Sequence, residues 1–362
     1  MKIAVDYTLG KNHIGGMGVL VQNIVKEITN LDKNNDYILF ESPLRFNSKN
    51  LFTKLVTVAR EHIWYQTKFL TELYAKKVDL LYSPNPPVPL LFTKPIIVNI
   101  PDMAFYYEKT ISYLTRTYLL VIYYLAAQKA EKITTLSEHS KKDIQKILRV
   151  KPDKIHIIPG AASDQFRPIR NKRIIHNTLA KYNIRKPFIL STPGTFVPRK
   201  NIKDLILAVS HIPKNKLKNI SVVLLGKNQG EDFLKLKKFV DLRNMTKSVI
   251  FTGYVDVEDW ITLHSAAKLF VYPSLYEGFA LPLLEAMKSG TPVIVYNKTS
   301  LPEVVGDAGI IVNNPKELTQ AIVKLLDDKK MYSELVRKGL RRSKDFNWKE
   351  SATKLNNLIL NP

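Results

Sequence analysis

One stretch constrains this chain more than any other. Between Leu269 and Tyr296 an apolar run (L-F-V-Y) gives way to P-S-L-Y-E-G-F-A, then to P-L-L-E-A-M-K-S, then to Gly290 and the run T-P-V-I-V-Y. The first run has the length and aromatic, β-branched make-up of a buried strand. Pro282 suits the first turn of a helix, where no backbone N–H is needed, and Gly290 suits the position just past its end. Glu277 is therefore expected on a loop at the carboxyl end of a strand, with Glu285 on the short helix that follows. In open α/β sheets ligands bind at that edge. The N–H groups of Gly278, Phe279 and Ala280 lie at the helix N-terminus, which suits anions and hydroxyls.

Two carboxylates at such a place have three readings. They are a solvated loop Glu with a helix Glu near the dipole, a general acid/base pair, or acceptors for sugar hydroxyls. Their spacing does not choose between them.

The same alternation runs through the chain. Lys2–Leu9, Tyr37–Phe40, Leu80–Ser83, Ile96–Ile100, Ile133–Leu136 and Ile155–Ile158 read as strands. Helical stretches at 51–76, 113–132 and 140–148 separate several of them. Strand and helix in turn indicate a parallel, doubly wound sheet. At 362 residues the chain suits two such domains of roughly 180 residues each. The Pro- and Arg-bearing connector Phe166–Tyr182 marks the boundary, and Pro187–Ser191 starts the second sheet.

After that strand comes P-G-T-F-V-P-R-K-N, from Pro193 to Asn201, leading into a helix at 202–210. A glycine turn, a basic pair and a helix N-terminus together form a cradle for a diphosphate. A second glycine-rich turn, Gly10–Gly18, follows the first strand. It lacks the G-x-G-x-x-G spacing of dinucleotide sites. Ser140 reads as a helix N-cap with Asp143 as its capping-box partner, and Ser300 with Glu303 as another capping box.

The Glu277/Glu285 pair inside Y-E-G-F-A-L-P-L-L-E-A-M, with G-T-P-V-I and S-L-P-E-V-V-G-D-A-G after it, resembles the retaining family 4 glycosyltransferases. T-G-Y at Thr252 and A-K-L-F-V-Y-P-S extend the match from Gly253 to Pro315. The resemblance implies a GT-B fold, two Rossmann-like domains facing a central cleft. Residues 1–168 would form an acceptor-side domain, 169–346 a nucleotide-sugar domain, and a terminal helix 347–362 would pack back on the first. It implies transfer of a sugar from a nucleotide diphosphate sugar to an acceptor hydroxyl, with retention. In that picture Lys200 and Arg199 neutralise the leaving diphosphate and Glu277 holds the donor sugar, with help from the N–H groups of Gly278 and Phe279. Glu285 takes the ribose hydroxyls, and Gly194, Ala280, Lys227 and Gly16 complete the donor site. Where many members carry a basic residue after the glycine, this chain has Thr195. Where the family often has His-Asp, it has Pro101-Asp102, so no histidine is expected in catalysis. Asp102 and Ser137 remain as cleft residues on the acceptor side. P-R-K-N resembles mannosyltransferases, which suggests mannose from a guanosine donor. A nucleotide-sugar hydrolase or epimerase of the same fold is the alternative.

The chain has no Asp-x-Asp, and no metal or cofactor is expected. It has no cysteine, which fits a reducing cytoplasm. Its N-terminus reads as a strand, not a signal peptide. The net charge is +23, with 27 basic against 15 acidic residues up to Asn183 and 28 against 17 beyond, so both halves are basic. Nucleic acid, anionic membrane and phosphorylated substrate all suit such a surface. No helix-turn-helix, zinc or RNA-binding signature is present, so no nucleic-acid partner is expected, and a basic nucleic-acid-binding protein stands behind the hydrolase or epimerase as the second alternative. Lys109–Lys154 holds ten basic and four acidic residues beside the aromatic run Tyr113–Leu125. A glycan or lipid-linked acceptor and peripheral contact with the cytoplasmic membrane face are the corresponding expectations.

Overall fold

The computed structural model describes residues 1–11, 15–42, 60–213 and 220–361. They form two compact units, Met1–Gly160 with Asn347–Pro362, and Ala161–Phe346. In the first, strands β1 (Lys2–Asp6), β2 (Asp36–Phe40), β3 (Leu80–Ser83), β4 (Ile96–Asn99), β5 (Lys132–Thr135) and β6 (Ile155–Ile157) stand in the order 2-1-3-4-5-6. In the second, β7 (Phe188–Gly194), β8 (Ser221–Gly226), β9 (Val249–Gly253), β10 (Leu269–Tyr272), β11 (Val293–Tyr296) and β12 (Gly309–Val312) stand in the order 12-11-10-7-8-9. Every pairing is parallel. A parallel sheet carries crossover helices on both faces, so its central strands are apolar throughout and do not alternate. Ile96, Ile97 and Val98, and Leu269, Phe270 and Val271, are accordingly closed to solvent.

The strand orders reverse between β1 and β3 in the first sheet, and between β7 and β10 in the second. At such a switch point two neighbouring connections leave in opposite directions and open a crevice at the carboxyl edge.

Three local readings change, and a fourth lies partly outside the described residues. β1 stops at Asp6, because the Asp6 carboxylate accepts from the Thr8 N–H and hydroxyl and pulls the chain into a helical turn, Thr8–Lys11. The helix read at 51–76 is described only from residue 60 on. The cap of the Glu138–Leu148 helix is Ser137, whose hydroxyl accepts from the Ser140 N–H, so Ser140 is not the cap. The unit boundary falls at Gly160, ahead of the Pro- and Arg-bearing connector. Residues 161–168, read as part of the first domain, group with the second. The Asp164 carboxylate takes the Lys288 ammonium at 2.7 Å, and the Phe166 ring meets His264 edge-on. Composition marked where regular structure breaks; side-chain contacts decide which unit the chain joins.

Helix α1 (Gly15–Leu31) belongs to the first unit, as do α2 (Tyr113–Lys129) and α3 (Glu138–Leu148). In the second unit α4 (Ile202–Ser210), α5 (Val257–Ala266) and α6 (Leu281–Lys288) follow β7, β9 and β10. The last helix, α7 (Trp348–Leu360), starts at an Asn347 cap and packs on α1 of the first unit, burying Ala352, Leu355 and Ile359. Ile359→Ala should lower the stability of the first unit by about 2–4 kcal/mol, transfer and cavity terms together. Urea denaturation followed by a reporter in that unit would check this, and an unchanged midpoint would show that the contact carries no weight.

Candidate functional site

The second sheet's switch point brings the two sequence motifs together. β7 ends at Gly194, whose φ of +70° is open to glycine at no cost. A Cβ on Gly226, at the end of β8, would stand 3.1 Å from the Gly194 carbonyl oxygen, so the two strand ends approach as closely as backbone allows. The Lys227 N–H donates to the same oxygen at 2.9 Å, while its side chain is exposed. The chain then makes a turn, Pro198–Lys200, and enters α4 through Asn201.

That turn is fastened to the loop after β10. Arg199 gives its carbonyl to the Leu275 N–H, with Ser274 Oγ 3.1 Å away, and its guanidinium donates to the Tyr276 carbonyl at 3.0 Å. Lys200 points inward. Its ammonium lies 2.6 Å from Glu277 Oε1 and 2.8 Å from the Tyr272 hydroxyl. Ser274 Oγ donates to Oε1 at 2.6 Å, and Arg199 Nη1 stands 3.4 Å from it. All these donors converge on Oε1, and Oε2 has no donor among the described residues. Lys200 likewise has two acceptors for three N–H groups.

The site is nearly closed to water, with Lys200 8% and Glu277 9% exposed. Burial alone would push the Glu277 carboxyl up, but Lys200 and Arg199 outweigh it and hold the group below the usual carboxylate range. Burial would likewise lower the Lys200 ammonium, and Glu277 reverses that. Burial, then Glu277, pushes the Tyr272 phenol up to about 12, so it stays neutral. The site holds a fixed carboxylate and two fixed cations.

The loop backbone is held from the other side. The Glu277 N–H donates to Thr299 Oγ1 and its carbonyl accepts from Ser300 Oγ. Ser300 therefore does not form the expected capping box with Glu303; its hydroxyl is spent on the Glu277 loop. Thr299 does this at φ +49° and Ala280 opens α6 at φ +75°, both left-handed and both costly for residues with a Cβ. Phe279 is buried edge-on against Phe346. The N–H groups of Phe279 and Ala280 take no acceptor among the described residues.

Glu285 has different neighbours. Its Oε2 accepts from the Trp260 indole N–H at 3.0 Å and lies 3.9 Å from His264 Nε2, both on α5. Burial pushes its carboxyl up to about 7, against the lowering pull of Trp260. His264 is closed to solvent, stacked on Phe270, and gives its Nδ1–H to the Trp260 carbonyl. Burial lowers its pKa to about 4, so the ring is neutral and turns an acceptor nitrogen toward Glu285.

Sequence reasoning picked out Lys200, Arg199 and Glu277 but missed Tyr272, Ser274, Thr299, Trp260 and His264. Y-P-S and N-K-T-S flank the motifs and offered a signal. Trp260 and His264 gave none, since their helix reads as an ordinary amphipathic one. Gly16, Asp102 and Ser137 lie in the first unit. Gly16 is exposed in the first turn of α1. Asp102 accepts from the Ala104 N–H, a local turn bond. Ser137 is fully buried as the cap of α3.

The sequence around this constellation is similar to that of glycosyltransferases. Residues 175–342 match the family Glycosyl transferases group 1, and the second unit belongs to it. Over 226 residues the chain is 35% identical to the O-antigen chain mannosyltransferase B of Escherichia coli, 62% of this chain and 59% of that protein. The chain thus spans less than two thirds of that relative. Sucrose-phosphate synthase from Thermosynechococcus elongatus superimposes with a TM-score of 0.78 at 19% identity, over 100% of this chain and 98% of its own. HepE from Anabaena, solved in complex with UDP-glucose, gives 0.76 at 17%, covering 100% of both. The fold is GT-B, two doubly wound Rossmann-like units.

A buried ion pair makes one member's removal worse than the loss of both. Lys200→Met should cost about 3–5 kcal/mol, because Glu277 is left charged and buried. Lys200→Met with Glu277→Gln should recover more than half of that. Additive losses in a urea double-mutant cycle would mean that the two groups do not act as a pair.

Proposed function

We propose that the chain is a retaining glycosyltransferase that moves a hexose from a nucleotide diphosphate sugar to an acceptor hydroxyl in polysaccharide or glycolipid synthesis. The observation that carries this is the Lys200–Glu277 pair at the switch point of the second sheet. Each partner keeps one bonding position unspent, a cation N–H beside a carboxylate oxygen. A glycosyl diphosphate presents matching groups, phosphate oxygens next to sugar hydroxyls. The N–H groups at the start of α6 offer further donors to those hydroxyls. Mannose is the sugar we favour, supported by the identity with the mannosyltransferase of Escherichia coli.

In this reading Arg199 and Lys200 meet the charge that develops on the leaving diphosphate. A preorganised cation at that place is worth roughly 2.7–4 kcal/mol by analogy with an oxyanion donor. Glu277, fixed on Oε1, orients the donor sugar through Oε2. In this reading it serves as a hydrogen-bond acceptor for the sugar and not as a nucleophile. Retention then follows from attack on the same face, with the departing phosphate taking the acceptor proton. Neither step calls on a metal. A nucleotide-sugar hydrolase would show release of free sugar without an acceptor, and transfer assays separate the two.

Arg199→Ala, on the half-exposed partner, should lower kcat by about two orders of magnitude with little change in stability. Product NMR should show the donor's anomeric configuration kept, and a chelator should leave the rate unchanged. Inversion, or activity lost to chelator and restored by magnesium, would overturn those parts of the mechanism.

Glu285 is the proposed partner of the ribose hydroxyls. A hydroxyl donates well only to the ionised carboxylate, whose pKa is about 7. Nucleotide diphosphate affinity should therefore rise with pH through that value, about tenfold from pH 6 to pH 8, and level off above. The neutral His264 does not titrate in that range. Glu285→Gln should flatten the profile in isothermal titration. A wild-type affinity independent of pH would remove Glu285 from the ribose.

We further propose that the first unit rests on an anionic membrane surface beside a lipid-linked acceptor. On α2, Tyr113 and Leu114 are 78% and 79% exposed, and Val121, Tyr124 and Leu125 also face outward. Lys142, Lys146 and Arg149 are exposed on and just after α3. Among the described residues no helix is long and apolar enough to cross a membrane. Each basic residue near such a surface contributes about 1 kcal/mol. The protein should float with anionic vesicles at low salt and stay down with neutral ones.

A further inference from the structure

The carboxyl group of Glu285 meets two side chains of α5, one turn apart, and they act on it in opposite ways. The Trp260 indole N–H donates to Oε2 at 3.0 Å, and His264 Nε2 stands 3.9 Å from the same oxygen. Among the described residues the carboxyl group has no other polar partner. His264 Nδ1 lies 2.9 Å from the Trp260 carbonyl, which can only accept, so Nδ1 carries the ring proton and Nε2 is a bare acceptor. No donor reaches Nε2 among the described residues, although the side chain is closed to solvent. The ring is held in place, stacked on Phe270, tilted against Trp260 and edge-on to Phe166. A buried acceptor without a donor destabilises a fold, and an apolar side chain would fill the same aromatic cage without that cost. What Nε2 faces is a group able to bring it a proton, since a protonated Glu285 is a donor. The 3.9 Å gap is about 1 Å beyond hydrogen-bond length, and the terminal torsion of a glutamate is soft enough to close it.

We propose that Trp260 and His264 are positioning residues that set the protonation of Glu285 from opposite sides, the indole N–H favouring the carboxylate and the imidazole nitrogen favouring the carboxylic acid. Its consequence for the nucleotide rests on the assignment of Glu285 to the ribose hydroxyls. With the proton on Glu285, the carboxyl group turns to His264 and donates to Nε2. With the proton lost to solvent, the lone pairs of Nε2 and Oε2 repel, and the carboxylate settles on Trp260 with Oε1 left to accept from a ribose hydroxyl. Burial places the Glu285 carboxyl at about 7, so this balance tips around neutral pH. The charged and titratable groups on neighbouring elements are engaged elsewhere. Lys288 on α6 pairs with Asp164, and Asp256 and Asp259 at the start of α5 pair with Lys181. The Tyr272 and Tyr296 hydroxyls of β10 and β11 are bonded to Lys200 and Asp204. On the helix 329–342, which packs against α6, Lys338 pairs with Glu334, and Arg342 pairs with Asp345. Glu258, Glu303, Arg337 and Arg341 are exposed. The choice between acid and carboxylate therefore falls to the two side chains of α5.

The test is NMR of the full chain labelled at the glutamate carboxyl carbons and the histidine ring nitrogens, with Glu285→Gln and His264→Phe identifying the two signals. In the wild type, Nε2 of His264 should resonate as an unprotonated nitrogen across the neutral range and move with the midpoint of the Glu285 carboxyl. Trp260→Phe, which removes a hydrogen bond to the charged form, should raise that midpoint by about one pH unit. His264→Phe, which removes the acceptor for the acid's proton, should lower it by about half a pH unit. A midpoint unmoved in either folded variant, or moved the same way in both, would overturn the proposal. So would a wild-type Nε2 that is protonated or silent while Glu285 titrates, a result that needs no variant to fold. Titration with GDP and UDP then tests the ribose reading separately. Affinity at neutral pH should fall roughly fivefold in Trp260→Phe, as the ionised fraction does. A nucleotide affinity that ignores a shifted midpoint would remove Glu285 from the ribose, while the shifted carboxyl signal itself upholds the two positioning residues.

Discussion

The buried pair Lys200–Glu277 is the interaction on which the rest of the second unit's site depends. Each group alone would be driven toward neutrality by burial; Lys200 keeps its charge through Glu277, and Glu277 keeps its own through Lys200 and Arg199. Bringing them within 2.6 Å requires two segments far apart in sequence to meet at the carboxyl edge of the sheet. The order 7-10 at the centre of that sheet does this, since β7 delivers the P-R-K-N turn and β10 delivers the Y-P-S-L-Y-E-G loop side by side. Topology sets the meeting place, and the ion pair locks it.

Holding a charged pair still costs backbone freedom elsewhere. Thr299 and Ala280 both adopt left-handed conformations that residues with a Cβ avoid. Thr299 does so while receiving the Glu277 N–H, and Ala280 while starting the helix that carries Glu285. Strain gathers where the loop must present several polar groups at fixed angles. The surrounding frame of buried strands makes that tolerable: Leu269 to Val271 and Val293 to Val295 are sealed on both sides.

The two carboxylates of the motif, alike in sequence, are driven to opposite states. Glu277 sits among cations and stays ionised; Glu285 sits against an indole and a neutral imidazole and is pushed up toward neutral pH. This pattern separates a permanent anchor from a group that ionises near the working range. An ionised Glu277 has no proton to give, which argues against a general-acid role for it.

Much of this was readable in the chain. Apolar runs of strand length, with Pro and Gly at the right helix ends, are local signals, and strand positions followed from them nearly to the residue. Lys200, Arg199 and Glu277 stood out because charged residues at strand ends sit where sheets bind ligands. Hydroxyl and aromatic partners did not stand out. Ser300 looked like a cap because capping uses the same residue type at the same spacing, and only the fold shows its hydroxyl turned to the Glu277 carbonyl. Trp260 and His264 lie on a helix whose sequence asks only for burial, and their bearing on Glu285 comes from α5 standing beside α6. The unit boundary followed the same rule: composition located the break in regular structure, and contacts of Asp164 and Phe166 drew it earlier. Local propensity is written residue by residue, so the sequence by itself determined the elements and their order. Which polar groups pair, and therefore which charges survive burial, depends on distances between remote segments, and only the tertiary structure decided that.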